Sequence, residues 1–584
     1  MTTNETKWSA VKRFFSMLKL DNRDITYVYI YAIFAGLITL SLPLGIQAII
    51  GLIVGGSLST SLLILVTVVT VGTALTGFLT VMQITVTETL QRRIFARSAF
   101  EFAYRIPKLN LEKMLKDYPP ELVNRFFDTL TLQKGVPKLL MDFSTAGLNI
   151  VFGLLLISFY HPFFVFFGII LLFLLVIIIR ITGPGGLKTS LNESKYKYQV
   201  VYWLEEMARA LTTFKMAGDD KLPLRQTDDL VSNYLDNRKA HFRILLMQYG
   251  NIVAFKTIIT LGLLLLGSSL VIDNSINIGQ FVAAEIVVLQ IMSSAEKLIL
   301  SMETIYDVLT AVEKIGAVVD LPLERRDGID YEEIDNDKGL NVKLEKVCFK
   351  FEDSNKNTVK DIHLHMKPGE VLNIAGYNGS GKATLSQLIS GLYNHYQGQI
   401  SFNGIPLKSL NKSSLRRHIG NYTQLSDIFR GSILDNINLG YDDVDLKQVL
   451  WAAEKAGLNQ HLRDLPDGFD TELKPGGTNI PGSIRAKILL ARAIAARPKL
   501  IVFEEFFEKL EPAEQLRIIR FLTRENHEWT LVIVSNNPLI AQHCDRTVIM
   551  QEGRIVEEGR YDQIQGSPHF GPVFKNDISE LFSL

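Results

Sequence analysis

The chain has 584 residues, too many for one hydrophobic core, so at least two domains are expected. Its 61 Lys+Arg balance 61 Asp+Glu, and a formal net charge of zero argues against nucleic-acid binding as the main task. Hydrophobic residues make up 47% and charged residues only 21%, with the apolar excess in blocks before about residue 300, which argues against a purely soluble protein.

The start, MTTNETKWSAVKRFFSMLKLDNRD, is polar and mildly basic. It has no short apolar core with a small-residue cleavage site, so no cleavable signal peptide is expected. Within it, KWSAVKRFFSMLKL is amphipathic, which suits either the inner membrane surface or plain packing. Six apolar stretches follow, long enough or nearly so to span about 30 Å of hydrocarbon at ~1.5 Å per residue. The first, TYVYIYAIFAGLITLSLPLGIQAII, starts at Thr26 and is expected to kink at Pro43. The second runs from about Leu62 to Ile84. The third and fourth form one block from about Ala146 to Ile181, which His161-Pro162 divides into a hairpin. The fifth lies around Ile252 to Ile272 and the sixth around Ile278 to Leu298.

The connections GGSLST, His161-Pro162 and DNSIN contain no Lys or Arg. The other side carries Lys12, Arg13, Lys19, Arg92, Arg93, Arg97, Lys188, Lys195 and Lys197. The positive-inside rule therefore puts the N-terminus and both long loops, roughly 85–145 and 183–248, in the cytoplasm. VVYWLEEMARALTTFKMAG mixes apolar and charged positions at helical spacing, so the membrane helices are expected to continue well beyond the bilayer. Glu285 is a sparse charge in the sixth span. A substrate-path or gating role, and a place beside a wet cavity or a polar helix neighbour, are both open to it. Lys256 lies roughly 10 Å deeper, so a direct pair with Glu285 is not expected.

Composition changes after the acidic stretch LPLERRDGIDYEEIDNDKGL. The expected division is a membrane domain over 1–325, a linker over 326–340 and an α/β domain over 341–584. In EVLNIAGYNGSGKATLSQLISGLY, an apolar strand from Val371 to Ala375 leads into Gly376, Tyr377, Asn378, Gly379, Ser380, Gly381, Lys382, Ala383 and Thr384, then a helical pattern. This is a phosphate-binding loop. Glycines let backbone N–H groups wrap the phosphates, Lys382 neutralises them, and the helix N-terminus faces the anion. Cys348 and Cys544 are expected to be two buried thiols, making neither a metal site nor a disulfide framework.

On these residues the chain resembles a half-transporter of the ATP-binding-cassette exporter family. That implies an α-helical six-span transmembrane domain, type I exporter-like with long cytoplasmic helical loops, fused to an α/β P-loop cassette. NIGQFVAAEIVVL is similar to the type I secretion branch, which exports proteins and peptides. The peptidase domain at the N-terminus of some members is not expected, since only about 25 residues precede the first span. The resemblance implies ATP and Mg²⁺ as cofactors. It makes Phe351, in VCFKF, the aromatic that stacks on adenine. Gln424 becomes the loop glutamine that contacts magnesium and senses the membrane domain. Glu504 takes the Walker B metal-ligand position, Glu505 that of the catalytic base and Asn536 that of the switch histidine. Ile480, Pro481, Gly482, Ser483 and Ile484 form the signature loop. Further implications are a multi-pass protein of the bacterial inner membrane with its cassette in the cytoplasm, and a homodimer or a heterodimer with a second half-transporter. Envelope adaptor proteins and membrane lipid are implied partners, and nucleic acid is not.

The departures from the family pattern fall on chemistry. Ala383 replaces the Ser/Thr that ligates Mg²⁺, which weakens metal binding. Glu504 replaces Asp and carries its carboxylate one methylene further out. Pro481 replaces the signature serine, which donates to the γ-phosphate held by the other subunit, yet proline is tolerated where a helix begins. Asn536 can hydrogen-bond but cannot become a cation. Glu508-Lys509-Leu510-Glu511 replaces Ser-Ala-Leu-Asp. Nucleotide binding is therefore expected more firmly than turnover. Two readings stand: an exporter subunit with slow or partner-dependent hydrolysis, and a scaffold or regulatory subunit that binds ATP without hydrolysing it. The fused membrane-then-cassette order is the exporter's and disfavours an importer.

Overall fold

Hydrophobic length sets the first part of the structure, a computed structural model that describes residues 3–54, 60–114, 119–160, 162–218, 221–324, 326–331, 339–423, 427–524 and 528–574. Its contacts divide the chain into Met1–Leu109 with Asp117–Pro322, and Leu323–Leu584 with the short segment Asn110–Lys116. Most of GGSLST, His161 and much of the acidic linker lie outside the described residues.

In the first unit, six helical stretches among the described residues are long and apolar enough to cross a membrane. Helix α1 (Thr3–Leu18) precedes the first span, which is broken into α2 (Asn22–Thr39) and α3 (Ser41–Val54). Pro43 explains the break: it has no N–H to return to the Thr39 carbonyl, and its ring crowds that carbonyl. The kink therefore falls at Leu40, a turn before the proline. Helix α4 (Thr60–Arg105) has 46 residues and is followed by α5 (Asp128–Ser158). Pro162 opens α6 (Pro162–Arg209), where its missing N–H costs nothing. A short helix, α7 (Leu211–Ala217), ends at Gly218 with φ 66° and leads to α8 (Lys221–Ile272), 52 residues long. At ~1.5 Å per residue, α8 is about 78 Å long, far more than the bilayer's hydrocarbon, so the long loops are helical extensions as expected. Helix α9 (Ile278–Val319) starts on a capping box: Asn277 accepts from the Gln280 N–H at 2.8 Å, and Gln280 accepts from the Asn277 N–H at 2.9 Å.

Helices α5 and α9 approach closely through small residues. A Cβ on Gly135 would meet Val308 at 2.3 Å, and one on Gly153 would meet Ile291 at 2.8 Å. Some of the charges in the membrane helices are paired between helices. Lys256 on α8 pairs with Glu296, further along α9 than Glu285, in keeping with its depth. Lys297 meets Asp142 of α5 at 2.9 Å, and the Ser301 hydroxyl donates to the same carboxylate at 3.0 Å. Burial of these charges is tolerable because each has an opposite partner.

The second unit is built on two sheets. Strands β1 (Val342–Phe349), β2 (Val359–Met366) and β4 (Gln397–Phe402) pair antiparallel, with β1 in the middle. The larger sheet runs in the order β9 (Arg554–Gly559), β8 (Arg546–Gln551), β3 (Val371–Gly376), β7 (Thr530–Val534), β6 (Leu500–Glu504), β5 (Ile419–Tyr422). All its pairings are parallel except β8–β9. Strands β3, β6 and β7 are buried along their whole length, as central strands of a sheet covered on both faces should be. Cys544 is buried, but Cys348 is only half-buried: its Sγ accepts the Asp361 N–H at 3.2 Å near the exposed face of β1.

Candidate nucleotide site

The loop after β3 begins at the carboxyl end of a central strand, where open α/β sheets bind ligands. Three glycines shape it. Gly376 has φ 148°, and a Cβ there would strike the Met550 carbonyl oxygen at 2.2 Å. Gly381 has φ 96°, and its Cβ would meet the Thr358 oxygen at 2.7 Å. Gly379, at φ 75°, faces open space, with nothing within 4 Å. The backbone is thus packed tightly behind the loop and open in front of it, a cradle for an anion. Ser380 is only 3% exposed, and its hydroxyl has no hydrogen-bond partner. A buried unpaired hydroxyl is costly, and a phosphate oxygen would satisfy it.

Lys382 opens α10 (Lys382–Ile389). Its ammonium donates to the carbonyl oxygens of Gly376 at 2.7 Å and Tyr377 at 2.9 Å. Burial lowers its pKa, while the charges of Glu505, Glu504 and Glu508 act the other way. Ala383 follows with a methyl group, and Thr384 is buried in the helix.

The residue types at this site fit a triphosphate: a cradle, an ammonium and a spare hydroxyl. They fit magnesium less well, because the position beside Lys382 has no oxygen. Glu504 ends β6 at 2% exposure and offers a carboxylate. Glu505 takes φ 51°, a costly conformation for a side-chain-bearing residue, and its N–H donates to the Val534 carbonyl at 3.1 Å. Gln424 lies outside the described residues.

Glu508 is exposed, but partial desolvation and the neighbouring Glu505 charge raise its pKa above the ordinary 4.5, against the pull of Lys509 and Lys382. A raised carboxyl contributes stability below the unfolded pKa and loses it as pH rises through the folded one. Glu508→Gln is therefore expected to raise the melting temperature at pH 8 by up to about 2 °C, the gap closing as pH falls toward 4.5. Thermal unfolding over that pH range checks it.

Asn536 sits beneath the loop. Its side-chain oxygen accepts the Gly376 N–H at 3.0 Å, and its amide nitrogen donates to the Gly376 oxygen at 3.0 Å. The two ends of the amide thus hold the two peptide groups that flank the Gly376 Cα. The residue expected at the switch-histidine position is here fastened to the base of the phosphate loop. Phe351 is half-buried, edge-on to Phe349 at 4.9 Å and to Tyr393 at 5.8 Å.

Two groups of predicted residues lie elsewhere. Ile480–Ile484 lead into α11 (Gly482–Ala495), with Pro481 as an exposed N-cap whose carbonyl accepts the Arg485 N–H at 3.0 Å. Proline starts the helix well but supplies no hydroxyl. Glu285 is half-buried on α9 in the first unit, with no ion pair or hydrogen bond among the described residues.

Sequence reasoning missed the segment Asn110–Lys116. Glu112 is buried; its carboxylate accepts the His395 N–H at 2.9 Å and also meets the Asn394 N–H and the His395 ring. No local pattern signals a contact across such a sequence separation.

Comparison with known proteins places these features. Residues 25–294 match the ABC transporter transmembrane region family, and residues 359–508 match the ABC transporter family. The chain is 28% identical over 371 residues to the alpha-hemolysin translocation ATP-binding protein HlyB of Escherichia coli, covering 63% of this chain and 51% of that one. It is 28% identical over 367 residues to the exotoxin translocation ATP-binding protein PaxB of Pasteurella aerogenes, covering 62% and 50%. These matches span about half the length of those relatives. Its fold is similar to that of a bacterial Atm1-family ABC exporter with ATP bound, with TM-score 0.84 and 18% identity over 95% of this chain and 98% of that one.

Proposed function

The chain belongs to the ATP-binding-cassette exporter family, and from that premise we propose that it exports a peptide, protein or other hydrophobic cargo as a half-transporter that binds ATP and hydrolyses it slowly or only with a partner subunit. One contrast carries this reading. The phosphate loop has its glycines, Lys382 and an unpartnered Ser380 hydroxyl, whereas Ala383, Glu504, Pro481 and Asn536 replace groups that hydrolysis uses.

In this mechanism Lys382 leaves the carbonyls of Gly376 and Tyr377 for phosphate oxygens, and Ser380 donates to another. Phe351 stacks on the base. Glu505 orients and deprotonates the attacking water, and Glu504 with Gln424 would hold magnesium, which when bound would neutralise phosphate charge. Closure of two cassettes, each signature loop over the other's phosphate loop, drives the outward opening. A homodimer would have two weakened sites; a heterodimer with a regular partner would have one weak face in each. Heterodimerisation is the better-supported arrangement, since it preserves more of each reaction centre.

The toxin-translocation names of the relatives support a peptide or protein cargo, and the similarity of NIGQFVAAEIVVL to the type I secretion branch implies envelope adaptors as partners. The lysine and arginine distribution supports a cytoplasmic cassette, and the bacterial source of the relatives supports an inner-membrane location. The second reading, a scaffold that binds ATP without turnover, is favoured by Ala383 and Pro481.

The deciding experiment is phosphate release by the purified protein, with and without a candidate partner, against Glu505→Gln. The proposal expects the variant to be slower by at least roughly tenfold. Equal inactivity of both proteins in every combination leaves the scaffold. A separate transport assay addresses Glu285: Glu285→Gln is expected to slow export several-fold while ATP binding stays unchanged, and unchanged export removes the substrate-path role.

A further inference from the structure

A cavity of about 350 Å³ opens within the first unit among α1, α5 and α9, with Tyr29 of α2 beside it. Its α1 wall is Val11, Phe14, Phe15 and Leu18, one helical face at i, i+3, i+4 and i+7. Leu139 of α5 and Val308 of α9 form part of the opposite wall. Phe15 is 60% exposed, so the cavity has an open mouth. The back of α1 is tied down, because Arg13 pairs with Glu313 at 3.2 Å and with Asp320 at the end of α9. The cavity is therefore a held feature of the fold.

The charges beside it are placed with the same regularity. At about 100° per residue, Lys12 and Lys19 project roughly 90° from the centre of the apolar face, both on the same side. Both are exposed, and neither has an acidic partner among the described residues. Arg23, also exposed, follows one turn later. An apolar slot flanked by the unpaired cations Lys12 and Lys19 at the start of the first span suits a ligand with a hydrocarbon chain and an anionic head.

Charge selects between occupants. The basic α1 of a second copy, which carries the same lysines, would bring no counter-charge to Lys12 and Lys19. The anionic head of a lipid supplies that charge, and the open mouth lets its acyl chain run on beyond the cavity's 350 Å³.

We propose that this cavity binds an anionic phospholipid of the inner leaflet, its acyl chain between α1, α5 and α9 and its phosphate at Lys12 and Lys19. The word "inner" rests on the proposed orientation. That is tested separately, by labelling a cysteine placed at Lys12 from either side of sealed vesicles.

The test uses the full chain in nanodiscs containing trace phosphatidylglycerol or phosphatidylcholine with a photoactivatable acyl chain, and maps the labelled peptides. Phosphatidylglycerol is expected to label residues 11–18, 136–143 and 305–309 at least about fivefold more than phosphatidylcholine does. Lys12→Glu with Lys19→Glu should abolish that preference without disturbing the core. Leu139→Trp, which fills the cavity, should remove the labelling itself. Equal labelling by the two lipids, or labelling unchanged by the lysine substitutions, overturns the proposal. So do thiol cross-links between two copies through Phe15→Cys, which would assign the cavity to a second chain.

Discussion

Restoring four side chains of the cassette, by Ala383→Ser, Glu504→Asp, Pro481→Ser and Asn536→His together, is expected to raise ATP turnover by at least roughly 10²-fold. Each substitution returns a specific group. Serine at 383 supplies a metal-ligating oxygen beside Lys382. Aspartate at 504 draws the carboxylate back by one methylene at the end of β6. Serine at 481 gives the N-cap of α11 a hydroxyl, and histidine at 536 can carry positive charge toward the developing phosphate charge. These groups act at one reaction centre, so their effects are not expected to multiply. Single reversions should gain less than about tenfold, since each leaves the centre incomplete in other ways. A triple variant that keeps Asn536 belongs in the series, because histidine there gives up one of the two bonds that hold Gly376. Phosphate release at saturating Mg-ATP, beside nucleotide binding and thermal unfolding, checks the prediction. A folded, nucleotide-binding quadruple variant as slow as the parent would mean that these four positions do not limit hydrolysis.

Much of this architecture was legible in the residues, for physical reasons that can be named. Span length follows from bilayer thickness, so the six membrane stretches emerged from apolar runs alone. The phosphate loop emerged because only glycine takes the φ of Gly376 and Gly381 with backbone pressed against the missing Cβ. Proline at 43 announced a kink, though its effect on the Thr39 carbonyl places the break earlier, at Leu40. What stayed hidden depended on contacts distant in sequence. Glu112 gives no local sign that it will bond to the backbone at His395. The Asn536 side chain reads as a weakened switch until its two hydrogen bonds to the Gly376 N–H and carbonyl are seen. Ser380 reads as one more loop residue until its hydroxyl proves buried and unpaired. Depth did predict that Lys256 would miss Glu285, but the choice of Glu296 required the helices to be packed.

Lys382→Met should weaken ATP binding by roughly 10²-fold, and Asn536→Leu by roughly tenfold, through different routes. The Gly376 oxygen accepts from both the lysine ammonium and the asparagine amide. When phosphate arrives, the lysine can exchange its carbonyl acceptors for charged oxygens, and charge-assisted bonds are about twice as strong as neutral ones. Methionine keeps the hydrocarbon stem but loses the charge, so the effect falls on affinity. Asn536 has no such exchange to make. Leucine of similar size leaves the Gly376 N–H and carbonyl without that partner, and an unsatisfied buried polar group costs about 1–3 kcal/mol. The loop should then sample more conformations before binding, which slows association instead of speeding release. Stopped-flow binding of a fluorescent ATP analogue separates the two variants. Lys382→Met should raise the off-rate, while Asn536→Leu should lower the on-rate and also lower the melting temperature without nucleotide. If Asn536→Leu binds as fast and melts as high as the parent, the pair of hydrogen bonds to Gly376 does not shape the loop, and the residue is again available as a switch.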